Sequence, residues 1–196
     1  MRLVLASASP ARLATLRAAG LDPEVVVSDV DESLVTGVQP AELAAELARR
    51  KGGAVAARLG DHAALVVGCD SVLELDGEVH GKPHDPRTAS ARWRTMRGRS
   101  GVLHTGHHVR LGDASITRGA ATTVHFADLS DLEIDAYVAT GEPLEVAGGF
   151  TIDGLGGAFV TRIEGDHHNV VGVSLPLLRT MVAELGVSWT DLWARA

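Results

Sequence analysis

The sequence predicts a single α/β domain built on a mixed β-sheet with flanking helices. Three patterns carry that expectation. Short apolar runs alternate with helical stretches in the N-terminal part of the chain, which favours parallel strands. Two hairpin signals, Asp76-Gly77 and Gly112-Asp113, come later and favour antiparallel ones. No linker-like stretch divides the chain, and 196 residues suit one domain over 1–196. A chain of this length buries about 70% of its extended surface and needs no disulfide or metal staple.

The elements follow in order. Residues 2–6 read as a buried strand. Ser9 suits a helix N-cap, Pro10 the first helical position and Gly20 the stop. Residues 24–28 read as a second strand, and residues 29–37 as an acidic loop. A helix from Pro40 carries Leu43, Leu47 and Val55 at helical spacing. Gly52-Gly53 predicts a kink or an early end there, because each glycine costs about 1 kcal/mol against alanine. Residues 64–69 read as a buried strand ending at Cys69-Asp70-Ser71. Residues 72–75 and the stretch around Val79 read as a hairpin closed by Gly81-Lys82-Pro83. Asp85 and Pro86 open another helix. Long strands near 102–111 and 115–126 follow, and Ser130 to Glu133 form a capping box. Residues 148–157 read as a glycine-rich loop and 158–163 as a strand. A helix near 175–185 and a short helical tail end the chain.

Composition narrows the class. Apolar residues make up 45% and charged residues 22%, an ordinary globular mix. One cysteine, Cys69, cannot form an internal disulfide, which fits a reducing compartment. The apolar start is too short for a signal peptide or a membrane span. The expectation is a cytoplasmic protein with no membrane partner. A net charge of −7 argues against nucleic acid as a partner. It leaves room for a small anion, since a few cations in a cleft outweigh a distant acidic surface. The basic residues are 16 arginines and two lysines, Lys51 and Lys82. The two lysines survive against an arginine bias by chance or because each has a task.

Several features have chemical potential, and each has a plainer reading. The turn Ser7-Ala8-Ser9-Pro10 leads into a helix N-terminus, where free N–H groups and the dipole favour phosphate. Arg12 would add a two-pronged donor. The plainer reading is an N-cap and a surface arginine. Asp70 follows a buried strand, at the sheet end where α/β ligand crevices open. Such a carboxylate holds a divalent cation, takes a proton from water, or merely caps a turn. Asp31-Glu32 offers oxygen ligands suited to magnesium, or is a solvated loop. Gly81-Lys82-Pro83 presents a lysine on a rigid turn, without the spacing of a P-loop. Cys69 reads as a buried structural thiol. His107 and His108 are consecutive in a strand and point to opposite faces, which argues against a zinc site.

Taken in order, the motifs are more specific. Ser7-x-Ser9-Pro10-x-Arg12, Asp31-Glu32, Lys51 and Gly68-x-Asp70-Ser71 come first. Asp76-Gly77-Glu78-x-x-Gly81-Lys82-Pro83 and His104-Thr105-Gly106 follow. Tyr137 with Gly141-Glu142-Pro143, Ala147-Gly148-Gly149-Phe150 and Asn169-Val170-Val171-Gly172 complete the series. From about residue 2 to 182 this resembles the Maf family, grouped with house-cleaning nucleotide pyrophosphatases and inosine triphosphatases. The resemblance implies a two-lobed fold with a long mixed sheet and a central cleft. It implies hydrolysis of normal or modified nucleoside triphosphates to monophosphate and pyrophosphate, a Mg²⁺ or Mn²⁺ cofactor, and a homodimer. By position, Asp70 matches the catalytic acid/base residue, and Ser7, Ser9, Arg12, Lys51 and Lys82 match the substrate-binding set. Glu32 matches the acidic position near the metal, with Asp70 as the other metal contact. Both lysines fall on family positions. The family's reported link to septum formation offers another reading, a nucleotide-binding regulator of cell division with incidental catalysis. A metal-dependent phosphatase releasing orthophosphate is a third.

Three positions depart from the family pattern and are associated with base selection. Ala11 stands where arginine is common, Ser71 for threonine and Asp153 for glutamine. Ser71 keeps the hydroxyl. Asp153 accepts hydrogen bonds but does not donate them, which suits a base edge rich in N–H donors, such as guanine.

Overall fold

The computed structural model describes residues 1–31, 35, 37–60 and 63–194. Seven strands form one sheet: β1 (Leu3–Ala6), β2 (Glu24–Val25), β3 (Leu65–Leu75), β4 (Glu78–His80), β5 (Ser100–Leu111), β6 (Ala114–Phe126) and β7 (Val160–Glu164). The order is β2-β1-β3-β5-β6-β7, with β4 on β3. β1 pairs parallel with β2 and β3, and all later pairings are antiparallel. The helices are α1 (Pro10–Ala18), α2 (Pro40–Leu59), α3 (Pro86–Met96), α4 (Asp131–Ala139), α5 (His167–Val171) and α6 (Leu175–Glu184). No helix among the described residues is long and apolar enough to cross a membrane.

Local signals work as expected where the chain closes its own hydrogen bonds. Ser9, Asp85 and Ser130 cap α1, α3 and α4 through their side chains, and Ser130 with Glu133 forms the full capping box. Asp76 (φ 55°) and Gly77 (φ 82°) turn the β3–β4 hairpin with both central residues left-handed. The second strand is shorter than expected, at Glu24–Val25. β7 starts at Val160, after a 3₁₀ turn over Leu155–Phe159.

Two expectations fail. β3 does not end at Cys69-Asp70-Ser71 but runs unbroken to Leu75. What changes there is its neighbour. β5 pairs with Leu65–Glu74 along one edge. On the other edge, β1 covers Leu65–Gly68 and β4 covers Leu73–Leu75. The stretch Cys69–Val72 lies between them.

The second failure is at Gly52-Gly53, where α2 continues without a break to Leu59. Gly52 is needed for contact. A Cβ there would lie 2.5 Å from His108 Cδ2. One at Gly68 would lie 2.5 Å from the Ala48 carbonyl oxygen, and one at Gly106 only 2.1 Å from that of Ala44. Ala44, Ala48 and Gly52 are spaced by four residues, so one helical stripe presses its backbone onto the glycines of β3 and β5. Packing along that stripe outweighs the helix propensity lost at two glycines.

Strand alternation divides the core. On the α2 face, Val66 packs with Val55. On the opposite face, Leu65, Val67 and Cys69 join Val109 in a cluster with residues of α1 and α6. Leu73, Leu75 and Leu103 join an aromatic cluster around Trp93, Phe126 and Tyr137. Ser71 and Thr105 fall between the two clusters. This polar seam separates an N-terminal lobe from a distal one within one sheet.

Candidate active site

The site is built where β1 stops and β4 has not begun. Beyond Ala6 the chain turns through Ser7 and Ser9 into α1, so that helix starts beside the uncovered stretch of β3. Consecutive residues of β3 point to opposite faces. Asp70 therefore serves the α2 face and Ser71 the other. A ligand at this edge would meet both sets of groups.

On the α2 face, Lys51 Nζ donates to Asp70 Oδ1. Both side chains are nearly buried, at 12% and 9% exposure. The glycine contacts described above explain the reach. Lys51 precedes Gly52, whose backbone packs against Gly68 of β3, and Asp70 lies two residues beyond Gly68 on the same face. The ammonium stabilises the ionised carboxylate in a place where burial alone would disfavour it.

On the other face, Arg12 holds three segments together. Its Nη1 donates to Ser7 Oγ (3.0 Å), its Nη2 to Ser71 Oγ (2.9 Å) and its Nε to the Gly172 carbonyl (2.8 Å). Ser7 Oγ also accepts from the Ser9 amide, and Ser9 Oγ accepts from the Arg12 amide. Ser71 and Thr105 hydroxyls are 2.9 Å apart, and Thr105 donates to the Asn169 carbonyl at 3.1 Å. A hydroxyl has one proton, so Ser71 must be the donor to Thr105. Asn169 is fully buried and donates to the Leu103 carbonyl and to Thr122 Oγ1. The hydrogen bonds thus run from Arg12 through Ser71 and Thr105 to the backbone of α5.

The remaining expected positions are less converged. Ala11 is half-buried in the first turn of α1. Lys82 is exposed just past β4 and makes no hydrogen bond or ion pair among the described residues. Its direction is set by register. β4 runs antiparallel to β3 and ends with His80 opposite Leu73, so the chain leaves β4 at the Val72 end of the uncovered stretch. Asp153 is exposed, in a segment organised by Glu142. That carboxylate accepts from Tyr137 Oη (3.0 Å), the Leu155 and Gly156 amides (3.0 and 2.9 Å) and Thr151 Oγ1. Burial raises the Glu142 pKa, but these hydrogen bonds outweigh it and leave the carboxyl below its ordinary value. Among the described residues, no hydrogen bond joins Asp153 to Asp70 or Ser71. Glu32 lies outside the described residues.

Nothing local in the sequence marks Thr105 or Asn169 as site residues, although both stand in the ordered motifs. Cys69 is buried, and burial pushes its thiol up to about 11, as suits a structural thiol rather than a nucleophile. His107 and His108 do face opposite ways. His107 Nε2 accepts from the Ser174 amide at 2.8 Å, so Nδ1 carries the proton and donates to the Thr105 carbonyl. His108 packs on Gly52 and bonds Thr117 Oγ1 at 2.8 Å.

Burial, helped by nearby arginines, pushes both imidazoles down to about 4. A depressed histidine stabilises the fold above its unfolded value of about 6.5, and that contribution is lost as pH falls toward 4. Each accounts for on the order of 3 kcal/mol. The melting temperature should therefore drop steeply from pH 6.5 to pH 4. His108→Gln should flatten the drop, and an unchanged profile in that variant would remove His108 from the account.

Comparison with known proteins identifies the family. A family model for Maf-like proteins matches residues 2–185. A protein of Salinispora tropica named nucleoside triphosphate pyrophosphatase is 60% identical, over 100% of this chain and 88% of its own length. Relatives of the same name from Streptomyces coelicolor and Nocardia farcinica are 57% and 56% identical. They match over 100% and 97% of this chain, and over 96% of their own length in each case. The solved structure of the Staphylococcus aureus Ham1 protein is similar in fold, with a TM-score of 0.50 at 15% identity, covering 98% of this chain and 94% of that one. By its sequence match over nearly the whole length, the chain belongs to the family of Maf-like proteins.

Proposed function

We propose that this chain hydrolyses nucleoside triphosphates to the monophosphate and pyrophosphate, by water attack at the α-phosphorus with Asp70 as base. One observation carries the reading. An ion-paired carboxylate on one face of β3 and an arginine-hydroxyl cradle on the other meet at the same uncovered strand edge, beside a helix N-terminus. The names of the relatives point the same way.

Each group has a part in the chemistry. The α1 N-terminus, Ser7, Ser9 and Arg12 bind phosphate oxygens. Lys51 and Lys82 offset charge that shifts onto the leaving pyrophosphate. Asp70 orients the attacking water and takes its proton. Among the described residues, no three His, Cys, Asp or Glu groups stand together to hold a metal. Mg²⁺ does not require such a cluster. It commonly takes one or two carboxylates and completes its shell with water and substrate phosphates. Asp70 supplies one such carboxylate, and Glu32 is the second that we propose for Mg²⁺ or Mn²⁺. Such a cation, when bound, would polarise phosphate oxygens and acidify water. Ala11, Ser71 and Asp153 are the proposed base-selecting positions, with guanine as the base that suits an acceptor-only Asp153.

The test is pyrophosphate release from a panel of normal and modified triphosphates with Mg²⁺ or Mn²⁺. Release of pyrophosphate supports the proposal, and release of orthophosphate as first product would make the chain a phosphatase. Tight nucleotide binding without release would favour the regulatory reading. The buried Asp70–Lys51 pair favours the enzyme, because a pure binder has no need of a base at that edge.

A further inference from the structure

Most arginines among the described residues face a carboxylate, as Arg99 faces Asp76 and Arg118 faces Glu184. Three partly buried ones face none among the described residues and give hydrogen bonds to backbone carbonyls: Arg12, Arg92 and Arg110. Arg12 belongs to the site. Arg110 caps its own hairpin through Gly112. Arg92 has no such local explanation. It stands on α3, and burial pushes its guanidinium below the ordinary arginine value. Placing a cation there without a counterion is unfavourable.

Its partner is the Gly81 carbonyl, which also accepts from the Gly148 amide at 3.1 Å. Gly81 immediately precedes Lys82. The other side of the lysine is fixed as well. A Cβ on Gly149 would lie 3.1 Å from Pro83 Cγ and 3.7 Å from Arg92 Cδ, and Trp93 Nε1 holds the Gly149 carbonyl at 2.8 Å. Lys82 itself has no side-chain partner among the described residues. Its placement beside the uncovered edge of β3 therefore depends on how its backbone turn is held.

We infer that Arg92 is a positioning residue for Lys82, pinning the Gly81 carbonyl so that the lysine is directed at the phosphates. This rests on the reading that Lys82 binds the triphosphate. A residue acting through Lys82 has nothing to act on once Lys82 is gone. That separates it from a residue that only supports the fold or touches substrate itself.

The experiment is a double-mutant cycle on kcat/KM for pyrophosphate release, using Lys82→Ala, Arg92→Gln, Arg92→Lys and the combined variants, with thermal melts alongside. Arg92→Gln should lower kcat/KM about tenfold, mostly through KM, and Arg92→Lys should recover part of the loss. In the Lys82→Ala background, Arg92→Gln should have no further effect. If the two losses multiply, or if Lys82→Ala is as active as the wild type, the inference is wrong. Should Arg92→Gln not fold, the cycle is run with Arg92→Lys, and the same non-additivity decides. If the wild type releases no pyrophosphate at all, the pyrophosphatase reading fails separately. The cycle on nucleotide affinity then still decides whether Arg92 acts through Lys82.

Discussion

Asp70→Asn is expected to lower pyrophosphate release by about 10³-fold, within the usual range for losing a general base, while nucleotide binding survives. The substitution keeps the shape of the side chain and an oxygen that can accept from Lys51. What disappears is the affinity for a proton and the charge that offsets the ammonium. The nearly buried Lys51 then loses the negative charge of Asp70, so the free variant should also melt earlier. Bound triphosphate supplies replacement negative charge, so the stability gap should narrow when nucleotide is added. Lys51→Met should behave differently. It removes the ammonium that offsets Asp70, whose carboxylate then faces an anionic substrate, so KM should rise as well as kcat fall. Single-turnover release and equilibrium binding together separate the two patterns. If Asp70→Asn keeps turnover within tenfold of the wild type, the base lies elsewhere, and Glu32 becomes the residue to replace.

The parts of this molecule that the sequence made legible are those closed by short-range hydrogen bonds. The Ser9, Asp85 and Ser130 caps and the Asp76-Gly77 turn are complete within a few residues, so their residue types suffice. The Ser9-Pro10 start of α1 is legible for the same reason. The misread parts depend on remote partners. The continuity of β3 was hidden because a strand that exchanges one neighbour for another shows a polar residue, Asp70, where the edge is uncovered. Thr105 reaches Ser71 across 34 residues and Asn169 across 64, and no local pattern announces either contact. Strand alternation separates His107 from His108, but the partner of His107, the Ser174 amide, lies 67 residues away. At Gly52-Gly53 the sequence points to a break that α2 does not have, for an energetic reason. Two glycines weaken an isolated helix by an amount the sequence shows, whereas the packing that compensates lies on β3 and β5.

That compensation leads to the second large effect expected, from Gly106→Ala. Gly106 lies opposite Asp70 on the face that α2 covers. A methyl there would fall 2.1 Å from the Ala44 carbonyl oxygen, 2.3 Å from its carbon and 2.5 Å from the Ala45 nitrogen. All three are backbone atoms, so no rotamer change relieves the overlap. The helix must lift from the sheet, or the strand must bend away. Overpacking of this kind costs about 3 kcal/mol, which for a chain of this size lowers the melting temperature by roughly 10 °C. The functional loss should exceed the stability loss. Lys51 rides on the same helix and Asp70 on the neighbouring strand, so lifting α2 separates the pair even in molecules that stay folded. Turnover measured well below the melting point should fall about tenfold or more, since ångström-scale misplacement of catalytic groups is costly. Gly53→Ala is the matched control. It lies in the same helix beside Gly52, and a Cβ there meets no heavy atom within 4 Å. It should stabilise the protein by about 0.5–1 kcal/mol through helix propensity and leave turnover unchanged. Wild-type melting and turnover in Gly106→Ala would mean that α2 does not rest on β5 as closely as its glycines indicate, and the placement of Lys51 on Asp70 would then need another cause.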